Sequence, residues 1–151
     1  MNGAMKLIRN ARLYAPEDLG CMDVLIGGGK ILRIGESLPA EEAYHVEVID
    51  GSGKIMMPGL IDAHVHILGG GGEGGYRTRT PEIMLSDIIC GGVTTVVGCL
   101  GTDGTTRTMT NLIAKARGLE EEGITAYIYT GSYQVPVRTL TGSVADDLIL
   151  L

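Results

Sequence analysis

"PGLIDAHVHILGGGGEGG", Pro58 to Gly75, decides how the chain is read. An apolar run ends in two histidines one residue apart, then passes into glycine interrupted by Glu73. In an extended strand, residues i and i+2 point to the same side. His64 and His66 therefore share a face, with Cα atoms roughly 6.5–7 Å apart. Imidazoles at that spacing can converge on one metal ion at about 2.0–2.1 Å. Asp62 lies on the same face and can orient or join them. The C-terminal end of a parallel strand is where α/β sheets hold their ligands. A bare H-x-H also suits two ordinary polar residues at a strand end, so the motif leaves both readings open.

The glycines that follow suit backbone passing close to an ion and a substrate, although a flexible linker has the same composition. Gly69-x-Gly71-x-x-Gly74 matches a dinucleotide-binding fingerprint, with Asp103 as the acidic residue further on. The next helix, expected from Thr80-Pro81, begins some six residues too late to lie under a pyrophosphate. No G-K-[ST] follows, so a P-loop is excluded.

Outward from this stretch the pattern changes once, near Pro58. Residues 1–57 read as short strands in a small antiparallel sheet. "CMDVLIGGGKILRIGESL" is a hairpin around Gly27-Gly28-Gly29, and "HVEVIDGSGKIMMPG" repeats the theme. Residues 58–151 alternate strand and helix. After the strand "GLIDAHVHIL", Met84, Leu85, Ile88 and Ile89 form the inner face of a helix capped by Thr80 and stopped at Gly91-Gly92. "VTTVVGCL" is the second strand, and Thr110 to Glu122 a second helix with Leu112, Ile113, Ala116 and Leu119 inside. "ITAYIYTGSY" is the third strand, and "SVADDLILL" opens another helix. Apolar strands alternating with helices predict a parallel α/β sheet, either an open doubly wound one or the start of a (β/α)8 barrel.

Composition sets the bounds. The chain has 151 residues, 44% hydrophobic and 20% charged, with a formal net charge of -6. That fits a globular domain and argues against nucleic acid or an anionic membrane as partner. Aromatics are scarce, with six Tyr, no Phe and no Trp, so Ile, Leu, Val and Met must build the core. Cys21, Cys90 and Cys99 are odd in number and lack a C-x-x-C, which suggests small buried apolar residues in a reducing compartment. The N-terminus has no apolar signal region and no run approaches a membrane span, so the expected location is the cytoplasm.

"ARLYAPEDLGCMDVLIGGGKILRIG" followed by "PGLIDAHVH" resembles the N-terminal part of the amidohydrolase superfamily. Within it, "HVHILGGGGEGGYRTRTPE", "GVTTVVGCLGTDG" and "TGSYQVPVRTLTGSV" are similar to the isoaspartyl dipeptidase family. The resemblance implies a small β-sandwich part over 1–57 and, over 58–151, the first three β/α units of an incomplete (β/α)8 TIM-type barrel. It implies that His64 and His66 ligate the more buried metal of a binuclear zinc site. Glu73 matches the carboxylate that takes the substrate's free α-amino group, Gly71 and Thr102 match further substrate contacts, and Tyr133 matches a tyrosine that polarises the scissile carbonyl. Each has a plainer reading as a solvated loop acid, a turn residue or a rim aromatic.

The resemblance also implies a bridging carbamylated lysine, two more histidines and an aspartate, expected beyond Leu151. Lys115 lies on a helix, and His45, between the early strands, reads as a surface residue. The implied function is hydrolysis of the β-aspartyl isopeptide bond of small dipeptides, by a homo-oligomer in full-length form. The 151-residue chain looks truncated and is expected to be inactive alone. Two alternatives remain, namely another amidohydrolase (dihydroorotase, hydantoinase or deacetylase type) and a non-catalytic fragment that binds a metal or a partner.

Overall fold

The structure, a computed structural model, describes residues 5–39 and 46–151; the expectation for His45 lies outside them. The chain divides into two compact units, Met1–Pro58 and Gly59–Leu151.

The first unit is one five-stranded sheet. β1 (Lys6–Tyr14), β2 (Asp18–Gly27) and β3 (Lys30–Gly35) pair antiparallel in sequence. The β2–β3 turn is Gly28-Gly29, as the glycine run predicts. β4 (Glu47–Asp50) and β5 (Ile55–Met56) both pair parallel to β1, which corrects the all-antiparallel expectation. A bulge explains how one strand takes two partners. The register of β1 shifts between Ile8 and Ala11, where Asn10 has φ 56°, so β4 pairs before it and β5 after it. Buried Asp23 holds the bulge, accepting hydrogen bonds from the backbone N–H of Asn10 (3.0 Å) and Leu38 (3.0 Å). The expected sandwich is represented among the described residues by this single mixed sheet.

The second unit is a parallel sheet in the order β6 (Leu60–Val65), β7 (Val93–Gly98), β8 (Thr125–Ile128). α1 (Leu85–Cys90) and α2 (Met109–Glu122) are the connections, and α3 (Val144–Leu150) follows the last strand. α2 follows its apolar periodicity closely. Leu112, Ala116 and Leu119 are buried, the Thr108 side chain caps its start, and Gly123 at φ 114° ends it. Its apolar face meets Ile67, Val96, Leu100 and Ala126 in one core.

α1 departs from expectation. It begins at Leu85, not at Thr80-Pro81, and the Asp87 carboxylate accepts from the Met84 N–H at 3.3 Å. Thr80 is engaged elsewhere. Its hydroxyl accepts from the Gly70 N–H (2.7 Å), and its own N–H donates to the Gly70 carbonyl (3.0 Å). Of the four expected inner residues only Ile88 is buried; Met84 and Ile89 are exposed. β6, expected to be buried, is an edge strand whose Ile61 is 70% exposed. Cys21 and Cys90 are exposed, so only Cys99 is the buried cysteine that composition suggests. No helix among the described residues is long and apolar enough to cross a membrane.

Candidate metal and substrate site

β6 delivers the histidines as its alternation requires. The ring centroids of His64 and His66 are 5.4 Å apart with planes at 83°. His66 falls one residue past the strand, where a tight turn (Ile67 N–H to Val65 carbonyl, 3.0 Å) closes the ladder. The Asp62 carboxylate accepts from the His64 backbone N–H at 3.1 Å and so fixes the strand end.

Cys99 completes the cluster. It follows β7, and its N–H donates to the Val65 carbonyl at 2.9 Å, which sets it beside His66. Donor atoms of His64, His66 and Cys99 all lie within 4.8 Å of one another. His66 Nδ1 is 3.4 Å from both the carbonyl oxygen and the Sγ of Cys99. Burial, and then the charge of Asp62, push the Cys99 thiol pKa up. Gly70 and Gly101 flank the His66 ring so closely that a Cβ would lie 3.2 Å and 3.4 Å from it. The ring thus stands between side-chain-free walls. That geometry and the nitrogen-rich donor set fit a zinc-class ion.

The glycine loop is a clasped structure. Gly71 has φ +73°, and a Cβ there would sit 2.3 Å from the Thr78 carbonyl, so the loop folds on itself only with glycine at this point. A short 3₁₀ turn (Tyr76–Thr78) forms its far side. Arg107, buried and unnoticed in the sequence, fastens the base. Its Nε donates to the Leu68 carbonyl (2.9 Å) and its Nη2 to the Thr80 carbonyl (2.8 Å), on either side of the loop. Asp103 ties Arg107 (3.9 Å) to Arg79 (3.7 Å). It also accepts from the Thr106 hydroxyl and from the N–H groups of Thr105 and Thr106. The Thr106 bonds first, opposed by partial burial and aided by Thr105 and Arg79, hold its carboxyl down at about 2. Asp103 is thus committed to the loop base, against the ribose-binding alternative. The spacing Asp103-x-x-x-Arg107 was the available signal, but outside a helix it points to no contact.

Glu73 and Thr102 come together from loops 29 residues apart, the Thr102 hydroxyl donating to Glu73 Oε1 at 2.7 Å. This bond chiefly, with the residue's own backbone N–H and the charge of His66, holds the Glu73 carboxyl below its usual range. Both line an open cleft of about 440 Å³ with Tyr76 and Arg79. Gly71 is not in that lining, and neither is Tyr133, whose ring is 81% exposed. The segment carrying Tyr133 is nonetheless anchored. Arg138 donates from Nη1 to the Gly104 carbonyl (3.2 Å), and wholly buried Asp147 on α3 accepts from Thr130, Leu140 and Thr141. Burial alone would raise the Asp147 pKa; these donors hold it far below the carboxylate range.

No family model matches the chain. A β-aspartyl dipeptidase from thermophilic, keratin-degrading Fervidobacterium islandicum AW-1, solved with β-Asp-Leu dipeptide, is 53% identical with a TM-score of 0.89. The match covers 98% of this chain and 38% of that one. Among curated proteins, an allantoinase of Enterococcus faecalis is 44% identical over 75 residues, 48% of this chain and 15% of the relative. A dihydroorotase of Staphylococcus epidermidis is 36% identical over 92 residues, 61% of this chain and 21% of the relative. The chain therefore spans less than a quarter of these two curated relatives and well under half of the dipeptidase. A molinate hydrolase, 20% identical with a TM-score of 0.59 over 87% of this chain and 31% of its own, shares the fold.

Proposed function

We propose, from the premise that this chain resembles the β-aspartyl dipeptidases of the amidohydrolase superfamily, that it carries part of a metal-dependent site for hydrolysing the β-aspartyl isopeptide bond of small dipeptides. In this reading residues 58–151 are the first three β/α units of a barrel, and residues 1–57 belong to a β-sandwich. His64 and His66 hold a divalent ion, which when bound supplies Lewis-acid polarisation of a carbonyl and acidification of water.

The chain's own residues bind and orient. The Glu73 carboxylate, oriented by the hydrogen bond from Thr102, takes the substrate's α-ammonium through charge-assisted hydrogen bonds. Gly71, outside the cleft lining, is assigned its backbone contact with the dipeptide by the family resemblance alone. Tyr133, exposed and solvent-facing, turns its phenol to the scissile carbonyl once a substrate is seated. Among the described residues only His64 and His66 supply imidazoles, so the 151-residue chain by itself is expected to turn over little. The homo-oligomer and the dipeptide as partner belong to the same proposal.

The observation that carries this reading is the pairing of Glu73 with Thr102 on the same unit as two converging imidazoles. A ring amide such as allantoin or dihydroorotate has no ammonium for that carboxylate. The test is binding of β-Asp-Leu, allantoin and dihydroorotate to the zinc-loaded chain, followed by NMR. β-Asp-Leu should perturb the Glu73 and Thr102 signals and E73Q should abolish this, while His64→Ala with His66→Ala should remove zinc. Ring amides binding in place of the dipeptide would overturn the assignment.

A further inference from the structure

A tyrosine that acts on a carbonyl while a carboxylate holds the same substrate must keep a fixed distance from that carboxylate. Misplacement by about 1 Å can cost about a hundredfold in rate. Tyr133 and the Glu73–Thr102 pair are separated along the chain by α2 and β8. We propose that Arg138, closing on the backbone of Gly104, is the positioning residue that holds the segment carrying Tyr133 against the turn that follows Thr102. The proposal rests on the reading of Tyr133 and Glu73 as substrate contacts.

Both sides of the contact are stiff. On one side the Asp103 carboxylate accepts from the N–H groups of Thr105 (3.1 Å) and Thr106 (2.8 Å), which fixes the turn next to the Thr102–Glu73 bond. On the other, Asp147 accepts from Thr130 and from Leu140 and Thr141. These bonds pin the two ends of the Tyr133 segment and leave its middle to another hold. Arg138 supplies it twice. Its N–H donates to the Ser132 hydroxyl at 3.0 Å, closing the segment on itself beside Tyr133. Its Nη1 donates to the Gly104 carbonyl at 3.2 Å, tying the closed segment to the turn. Gly104 makes this approach possible. A Cβ there would lie 2.8 Å from Ser132 Cβ and 2.9 Å from Gln134 Oε1, on the residues that flank Tyr133. Gln134 Nε2 also reaches the Thr105 hydroxyl, at 3.4 Å, and Thr105 lines the cleft with Glu73.

The competing arrangement is that Asp147 alone orders the segment and the Arg138 bond is incidental. The two differ in what loss of the Arg138 donors does to residues 131–135.

The experiment is NMR of the 151-residue chain, first without ligand and then with β-Asp-Leu. In the unaltered chain the Gly104 α-protons should show nuclear Overhauser contacts to the Ser132 β-protons, and amide order parameters over 131–135 should be about 0.85. Arg138→Met, which keeps an apolar stem and loses the donors, should drop them below about 0.6 while Thr141 stays rigid. Arg138→Lys, which keeps a cationic donor, should recover part of the loss. Gly104→Ala should loosen the same residues by steric displacement, since Gly104 is not among the glycines of positive φ. With β-Asp-Leu, the Arg138→Met chain should keep the Glu73 and Thr102 shifts and lose those of the Tyr133 ring. Unchanged order in both variants, or undiminished Tyr133 shifts in Arg138→Met, overturns the role of Arg138. So does absence of the Gly104–Ser132 contact, which is read in the unaltered chain and decides where a variant does not fold. If the variants loosen as expected but the dipeptide moves neither Glu73 nor Thr102 in the unaltered chain, the substrate reading falls. The positioning role falls with it, while the tie between the two loops stands.

Discussion

Glu73 is an exposed acid in a loop of glycine, and the Thr102 hydroxyl is the first of the groups that lower its pKa. Removing that donor with Thr102→Val should raise the Glu73 pKa toward its ordinary value, read by carboxyl-carbon NMR titration. An unchanged titration would show that the bond does not govern the carboxylate. Asp103 makes the same point more strongly. Its folded pKa of about 2 lies below the ordinary aspartate value of about 3.9. The stabilisation it lends is therefore complete above that ordinary value and is lost as pH falls toward 2. Asp103→Asn should lower Tm at neutral pH and flatten the acid limb between about pH 4 and 2, measured by thermal melts across pH. At this scale the sequence was informative where periodicity acts. The period of two placed His64 and His66 together, and the melts probe what it could not place. Asp103 and Arg107 meet across irregular backbone, where no spacing rule applies. Cys99 reaches His66 only through strand pairing.

Among elements, the loop from Leu68 to Thr80 is held by its ends. Arg107 bridges them with a planar fork that lysine cannot reproduce. Arg107→Lys should destabilise the second unit by about 2–3 kcal/mol and speed amide exchange at residues 69–80 more than in α2. Uniform exchange across the unit would refute a local role for this residue. The helix period of α2 was legible because its cap and its apolar stripe agree, whereas α3, capped by Ser143, buries Asp147 and leaves Leu148, Ile149 and Leu150 exposed. The start of α1 at Leu85 departs from the sequence pattern because Thr80 has two uses with one local signature. Capping a helix and clasping Gly70 both use a short hydroxyl on an extended residue, and only tertiary pairing separates them. The parallel pairing of β4 with β1 was hidden for a related reason. Strand patterns report faces, not direction.

For the whole molecule, the three-stranded sheet is dressed unequally. Ala126 meets the helical core while its neighbour Tyr127 points away and is 61% exposed. Parallel sheets are ordinarily covered on both faces. Such a surface should drive concentration-dependent association of the chain, and Tyr127→Lys should suppress it in sedimentation experiments. Monomeric behaviour of the unaltered chain at high concentration would contradict this. The mixed α/β class was readable from strand–helix alternation, because that is a statement about order along the chain. What covers each sheet is a statement about space, which order alone does not specify. The clasp at Gly70 and Thr80 has one more consequence. A hoop pinned at its base can change the side chains of its crown, Tyr76 and Arg77, without moving the strand end that carries the imidazoles. The rim can then vary in sequence while the floor that carries His64 and His66 stays still.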